Sequence, residues 1–172
     1  MTTPSESAVL DGMLQTRDAG HQVISFDRRL EHPVAAVWPQ LVRPELLAGW
    51  LAAADPLEPA EGGAVVLSWL NTDSVATGTV SAFDPPTLVE YDTDLHGRIR
   101  FELQDEGGGT ALAFSATLPA PIGEPASLLA GWHLHLDFLE QALRGRAVDW
   151  PHWDAEGRWQ RLHDAYAAQW GG

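Results

Sequence analysis

The stretch ASLLAGWHLHLDFLEQAL, residues 126–143, decides the fold. An α-helix turns by about 100° per residue, so five leucines fall within about 60° of Trp132 on the helical wheel: Leu128, Leu129, Leu136, Leu139 and Leu143. The other side carries His133, Asp137, Glu140 and Arg144, about 80–140° round. This pattern predicts an amphipathic helix that ends near Gly145 and buries its apolar stripe against another element.

The residues before this helix show the alternation and turn signals of β-strands. Strands are predicted over 64–70, 74–83, 87–93, 98–104 and 110–118. The sequence Asp105-Glu106-Gly107-Gly108-Gly109 is the strongest turn signal in the chain. Short strands separated by such turns predict an antiparallel meander, which offers the helix an extended apolar partner.

The first part of the chain adds one strand and two short helices. From His21, residues Ile24, Phe26, Arg28 and Leu30 share one strand face. A short helix is predicted to begin at Pro33 and a second at Arg43-Pro44-Glu45, and Pro39 is expected to kink or shorten the first. Residues 1–19 are polar; their few apolar residues have a spacing that suits one or two helical turns, and we expect this segment to be loosely ordered.

These elements predict an α+β helix-grip fold. A curved antiparallel β-sheet wraps around the long C-terminal helix, two short helices follow the first strand, and an extra helix over about 154–169 closes the chain. We predict a loosely ordered segment at 1–19, the helix-grip domain at 20–147 and an aromatic extension at 148–172. Trp150, Trp153, Trp159 and Trp170 are expected to hold that extension on the body.

Charge and composition exclude several classes of function. The chain of 172 residues carries 10 Lys+Arg against 24 Asp+Glu, a formal net charge of −14. Nucleic-acid binding and attraction to an anionic membrane need clustered basic residues, so neither is expected. The absence of Cys excludes disulfides and Cys-ligated metals. No apolar run approaches about 20 residues and no signal-peptide pattern is present, so we expect a cytoplasmic protein without membrane insertion.

Five motifs, in order along the chain, resemble the START/Bet v 1-like (SRPBCC) superfamily. They are His32-Pro33-Val34 with Val37-Trp38; Arg43-Pro44-Glu45 with Trp50-Leu51; Gly78-Thr79-Val80 with Asp84-Pro85-Pro86 and Leu88-Val89-Glu90-Tyr91; Gly108-Gly109-Thr110; and Ala130-Gly131-Trp132-His133 with Leu136-Asp137. Over about residues 20–145 the chain is most similar to single-domain relatives of the activator of Hsp90 ATPase C-terminal domain. The closing Trp150, Trp153 and Tyr166 resemble bacterial members.

This resemblance implies a sheet that grips a helix around a cavity, but no single activity. Lipid carriers, hormone receptors, aromatase/cyclases and co-chaperones share the fold. The residues expected to line such a cavity are Arg28, Trp38, Trp50, Trp69, Tyr91, Phe101, Phe114, Leu128, Trp132, His135, Leu136 and Leu139.

Motifs for metal or nucleophilic chemistry are lacking. There is no Gly-x-Ser-x-Gly elbow and no His-Glu-x-x-His pattern, and His133 and His135 project about 200° apart on a helix. Asp92, Asp94 and His96 would share a face of a continued strand, but we interpret them as a solvated hairpin end. We therefore expect no metal and no cofactor.

Two polar residues stand out beside the apolar faces. His135 lies at the edge of the helix stripe, as a core-edge residue bonded to a backbone carbonyl or as a ligand-orienting or proton-transferring group. His133, on the polar side, is interpreted as structural or surface-exposed. If its strand face is concave, Arg28 must meet a carboxylate or a ligand anion; otherwise it reaches solvent at the strand end.

The first hypothesis for function is a non-catalytic protein that binds an apolar or aromatic small molecule. The second is a metal-independent cyclase or aromatase that uses His135 and Tyr91. The third, ranked last, is an Hsp90-activator-like protein-binding module, because the separate N-terminal half of full activators is missing; a chaperone partner is not expected. The C-terminal aromatic residues also predict a homodimer.

Overall fold

The computed structural model describes residues 10–17, 20–118 and 124–170, the last without its side chain. Eight strands and four helices lie within these residues. The strands are β1 (Met13–Thr16), β2 (Gln22–Leu30), β3 (Ala52–Leu57), β4 (Ala64–Trp69), β5 (Val75–Asp84), β6 (Leu88–Thr93), β7 (Gly97–Glu106) and β8 (Gly109–Leu118). The helices are α1 (Val34–Val42), α2 (Pro44–Leu47), α3 (Pro125–Leu143) and α4 (Arg158–Trp170), with a 3₁₀ turn at Trp150–His152.

All strands belong to one curved antiparallel sheet in the order β1-β2-β8-β7-β6-β5-β4-β3. From β3 to β8, each strand pairs with the next one along the chain. Strand β2 pairs with the other edge of β8, from Gln22 opposite Leu118 to Leu30 opposite Thr110. Register shifts in β3 after Ala54 and in β5 after Val80 mark bulges, which bend a strand and increase its twist. The helix-grip fold predicted from the sequence is therefore confirmed.

The core lies between the inner face of the sheet and α3. Alternate residues of β2, β4, β6, β7 and β8 point inward, as the period of two requires. In its centre, Phe114 contacts Phe101 and Trp132, with ring centroids 5.2 and 4.7 Å apart. Trp50 lies 6.0 Å from Phe101, so aromatic rings fill the centre of the grip.

The local structure differs from the sequence-based expectations in three places. The apolar spacing in the N-terminal segment does not make helical turns over Met13–Thr16, because these residues form an edge strand on β2. Strand β3 was not predicted, because Ala52, Ala53 and Ala54 carry little β signal of their own. The last helix begins at Arg158 rather than 154, after Gly157 with φ of +67°.

The polar side of α3 is also covered. Helix α4 and the N-terminal segment pack over it, with Tyr166 fully buried and Leu162 nearly so. Consequently His133, expected on a polar face, is only 3% exposed. None of the helices in the described part of the chain is long and apolar enough to cross a membrane.

Candidate functional site

A pocket of about 170 Å³ lies at one end of the grip. We call it the end pocket. The sheet contributes Trp69 at the end of β4, three residues of the β4–β5 turn and one of the β6–β7 turn: Asn71, Thr72, Ser74 and His96. The helices contribute Ser127, Leu128, Gly131, Trp132, Leu134, His135 and Trp159. The two turns meet because antiparallel neighbours place the end of β4 and the end of β6 at the same edge.

Five of the twelve residues that line the pocket carry aromatic rings. Trp69 lies against His96 at 4.4 Å between ring centroids and meets Trp132 edge-on at 6.2 Å. His135 lies 6.5 Å from Trp69 and 6.2 Å from Trp132. These four rings, two from the sheet side and two from α3, line the same pocket. Such an arrangement can hold a flat ring by face and edge contacts.

The same pocket holds buried polar atoms without partners. Among the described residues, four buried side-chain N or O atoms make no hydrogen bond, and three of them belong to pocket residues. These three are Asn71 Oδ1, His96 Nε2 and His135 Nε2; the fourth is Gln40 Oε1. An unpaired buried polar atom is costly, so three in one pocket indicate a place where a bound group would satisfy them.

His135 is held in one orientation by its own helix. It is 4% exposed, and its Nδ1 lies 2.8 Å from the carbonyl oxygen of Gly131 one turn earlier. A carbonyl only accepts, so Nδ1 carries the proton and Nε2 presents a lone pair. Burial lowers the pKa of His135 to about 4, partly opposed by the Gly131 carbonyl and reinforced by His96. At neutral pH it is therefore a neutral acceptor.

Gly131 keeps the helix side of the pocket open. A Cβ built at Gly131 would meet no atom within 4 Å, although the residue lies in the middle of α3. Glycine inside a helix is unfavourable relative to alanine, so its place here is not explained by helix formation. The missing side chain leaves space directly beside the His135 turn.

A larger groove, of about 680 Å³, lies on the outer face of the sheet. The charged side chains Asp27, Arg29 and Glu102 in this groove are exposed to solvent, and Arg29 pairs with Glu106 at 3.1 Å. The groove therefore lacks the enclosed aromatic wall and the unpaired buried atoms of the end pocket. We take the end pocket as the candidate site.

A second polar cluster lies on the covered side of α3. Arg28 reaches Asp137 and Glu140 through Nη1 at 2.6 and 3.0 Å, and Asp11 through Nε at 2.9 Å. Its side chain is 9% exposed, so the expectation that it reaches solvent is wrong and the carboxylate alternative is correct. Burial lowers the pKa of Arg28, but Asp137 and Asp11 more than offset this and raise it overall.

The family model described as Activator of Hsp90 ATPase homolog 1-like protein matches residues 31–144, more than half of the chain. The chain belongs to this family. Its fold is the helix grip of the SRPBCC superfamily. The matched region includes Trp69, His96, Trp132 and His135, whereas Trp159 of the pocket lies outside it.

Several solved structures share the fold. CalU16 from Micromonospora echinospora is 24% identical with a TM-score of 0.68, over 90% of this chain and 92% of that chain. A protein encoded by gene BPP1335 of Bordetella parapertussis is 28% identical with a TM-score of 0.64, over 96% and 94%. DynU16, from the dynemicin biosynthetic locus, is 20% identical with a TM-score of 0.63, over 73% and 48%. A comparison with curated proteins finds no match.

The structure separates the residues that were predicted to line a cavity in this Hsp90-activator-like family member into different places. Trp69, Leu128, Trp132 and His135 line the end pocket. Six others are fully or almost fully buried in the core: Trp50, Tyr91, Phe101, Phe114, Leu136 and Leu139. Trp38 is half-buried against Phe83, and Arg28 lies in the ion cluster. Whether any of them contacts a ligand stays a prediction.

The two catalytic candidates do not meet at the pocket. The hydroxyl of Tyr91 donates a 2.6 Å hydrogen bond to the carbonyl of Leu41, and Tyr91 is not among the residues that line the pocket. Burial raises the pKa of Tyr91, so this hydroxyl stays protonated. Of the proposed pair, only His135 lines the end pocket.

Sequence reasoning missed three parts of the site. His96 was interpreted as part of a solvated hairpin end, but its Nε2 is buried because the β6–β7 turn folds back over Trp69. Burial lowers its pKa, with Asp94 opposing the shift. Asn71 and Gly131 gave no signal, since a turn amide and a helix glycine are common elsewhere. Within the described residues no three His, Asp or Glu side chains converge on a metal position.

Proposed function

We propose that this protein binds a small aromatic molecule in the end pocket. The observation that carries the proposal is the coincidence of an aromatic wall with Asn71 Oδ1, His96 Nε2 and His135 Nε2, which lack partners inside that wall. Ligand sites are characteristically apolar recesses with a few placed polar groups.

The size of the space limits the ligand. A dry cavity of roughly 150 Å³ accommodates benzene, and the end pocket measures about 170 Å³. One six-membered ring with a small substituent therefore fits, and a larger ligand would extend beyond the pocket.

Binding without catalysis is the better-supported form of this proposal. Acid–base chemistry needs at least one group whose pKa lies near the working pH. The pKa of His135, about 4, makes it a weak base at neutral pH, and the hydroxyl of Tyr91 is bonded elsewhere. The cyclase hypothesis and the chaperone-partner hypothesis stay predictions.

The test uses toluene as the probe and two substitutions at one residue. Saturation-transfer NMR detects toluene on the wild type, and shifts of the Trp69, Trp132 and Trp159 indole resonances locate it. Gly131→Leu fills the open space and should weaken binding at least tenfold. Gly131→Ala adds one methyl where no atom lies within 4 Å and is the matched control.

Two results would contradict the proposal. One is a wild type that binds no toluene at concentrations near the aqueous solubility of the probe. The other is a folded Gly131→Leu variant that binds toluene as tightly as Gly131→Ala does.

A further inference from the structure

We infer that the end pocket selects an aromatic ligand that donates a hydrogen bond, of the phenol type, over aromatic ligands that are purely apolar or anionic. This inference rests on the proposed function and adds the chemistry of the ligand. It is carried by the orientation of one imidazole and by the position of its unpaired nitrogen.

The orientation of His135 determines what it can bind. Its Nδ1–H is used by the carbonyl of Gly131 at 2.8 Å, so the other ring nitrogen is left with a lone pair. That nitrogen, Nε2, is buried and has no partner among the described residues. Only a hydrogen-bond donor satisfies a lone pair, and the low pKa of His135 means that a proton from solvent does not do so at neutral pH.

Asn71 and His96 extend the same preference. The side-chain oxygen of Asn71 is a second unpaired acceptor, contributed from the opposite side of the pocket by the β4–β5 turn. His96 Nε2 is a donor in one tautomer and an acceptor in the other. It can therefore donate to the oxygen of a hydroxyl group or accept that group's proton. A hydroxyl on an aromatic ring can donate to one acceptor while its oxygen accepts from a donor.

Anions are disfavoured by His135 Nε2 and by Asn71 Oδ1. A carboxylate or phosphate offers only acceptors, which would face the lone pairs of His135 and Asn71. No arginine lines the pocket, and the chain contains no lysine. The net charge of −14 adds a repulsive field for any anion that approaches.

The experiment compares phenol with toluene, which are nearly isosteric and differ in a hydroxyl and a methyl group. A hydroxyl is costly to remove from water unless it is paired, so a pocket without a usable acceptor prefers toluene. Pairing with His135 reverses this order. We expect phenol to bind the wild type about threefold to tenfold more tightly than toluene, with anisole no tighter than toluene and benzoate undetectable.

The matched variant is His135→Phe, which keeps an aromatic ring and removes the acceptor. It should lose the preference for phenol over toluene, so that the ratio of the two affinities falls to about one or below. A second readout needs no variant: the ¹⁵N resonance of His135 Nε2 should shift when phenol is added and stay in place with toluene. If His135→Phe does not fold, the response of the wild-type Nε2 resonance to phenol and to toluene decides the question.

The outcomes separate the two proposals. If toluene binds but phenol binds no better, or if the Nε2 resonance does not respond to phenol, the donor selectivity is wrong and the binding function stands. Tight binding of benzoate would likewise overturn the selectivity alone. If neither phenol nor toluene binds, both proposals fail.

Discussion

The guanidinium of Arg28 on β2 and the carboxylate of Asp137 on α3 lie 2.6 Å apart and tie the sheet to the covered side of the long helix. Glu140 and Asp11 also contact Arg28, at 3.0 and 2.9 Å. One buried cation is thus shared by three carboxylates from two separate parts of the chain. Asp137 is additionally paired with Arg158 of α4.

Removal of this cation should destabilise the protein strongly. Arg28→Met leaves three carboxylates near one another in a poorly solvated place, and breaking a buried ion pair from one side costs about 3–5 kcal/mol. We expect a loss of this size in the free energy of unfolding, measured by urea denaturation at pH 7.

Arg29→Met is the matched control for that measurement. Arg29 is the next residue on β2, but its side chain is 52% exposed and its pair with Glu106 faces solvent. Such exposed pairs contribute about 0–1 kcal/mol. Equal losses for the two variants would show that Arg28 acts as an ordinary surface residue.

Much of the architecture could be predicted because it depends on local patterns. The alternation in β7 and β8 and the leucine stripe of α3 are properties of neighbouring residues, and the predicted helix 126–143 differs from Pro125–Leu143 by one residue. The fold class follows once an apolar helix stripe and an antiparallel sheet are present together.

The site depended on contacts that local patterns do not contain. The helical period alone placed His133 on a polar face of α3. In the structure α4 covers that face, and the hydroxyl of Tyr166 from α4 forms a hydrogen bond with the imidazole. In the same way, His96 lies in a turn whose direction decides whether its ring faces water or Trp69. Neither fact follows from residues near in sequence.

Stability should depend on pH through His135. The folded protein holds its pKa near 4, below the ordinary value of 6.5, chiefly because of burial. As the pH falls from about 6.5 to 4, the unfolded chain takes up a proton that the folded chain refuses, so stability falls on the order of 3 kcal/mol and then levels off. Urea unfolding of wild type and His135→Phe from pH 7.5 to 4 should show a shallower decline for the variant.

The other buried histidines do not obscure this difference. His96 and His133 also have pKa values lowered by burial, but both are present in the two proteins. The contribution of His133 cancels when the two curves are subtracted, whereas His96, which helps to lower the pKa of His135, enters the difference together with it. Parallel curves for wild type and variant would mean that His135 takes up its proton normally in the folded state.

Two glycines should respond in opposite directions to the same substitution. Gly131→Ala places a Cβ in open space within α3, so we expect the protein to become about 0.5–1 kcal/mol more stable. Gly78→Ala drives a Cβ into the backbone oxygen of Asp92 on the neighbouring strand, so we expect a loss of at least about 1–3 kcal/mol. Urea denaturation of both variants checks this; destabilisation by Gly131→Ala would show that the space at the end pocket is not open.

The hydroxyl of Tyr166 should hold the N-terminal segment on the body. It accepts a 3.0 Å hydrogen bond from the Gly12 amide and lies 2.8 Å from Nδ1 of His133, and burial raises the pKa of Tyr166 to about 12, so it stays protonated. Tyr166→Phe leaves the buried Gly12 amide unpaired, at a cost of about 1–3 kcal/mol, and removes one of two neighbours of His133 Nδ1, the other being Asp11 Oδ1 at 3.5 Å. Hydrogen exchange at Gly12 should accelerate by more than tenfold, whereas Tyr91→Phe, which loses a single bond to the Leu41 carbonyl, should leave Gly12 unchanged. If both variants accelerated Gly12 equally, the exchange would report global unfolding, and the hydroxyl of Tyr166 would not be a specific anchor for the segment.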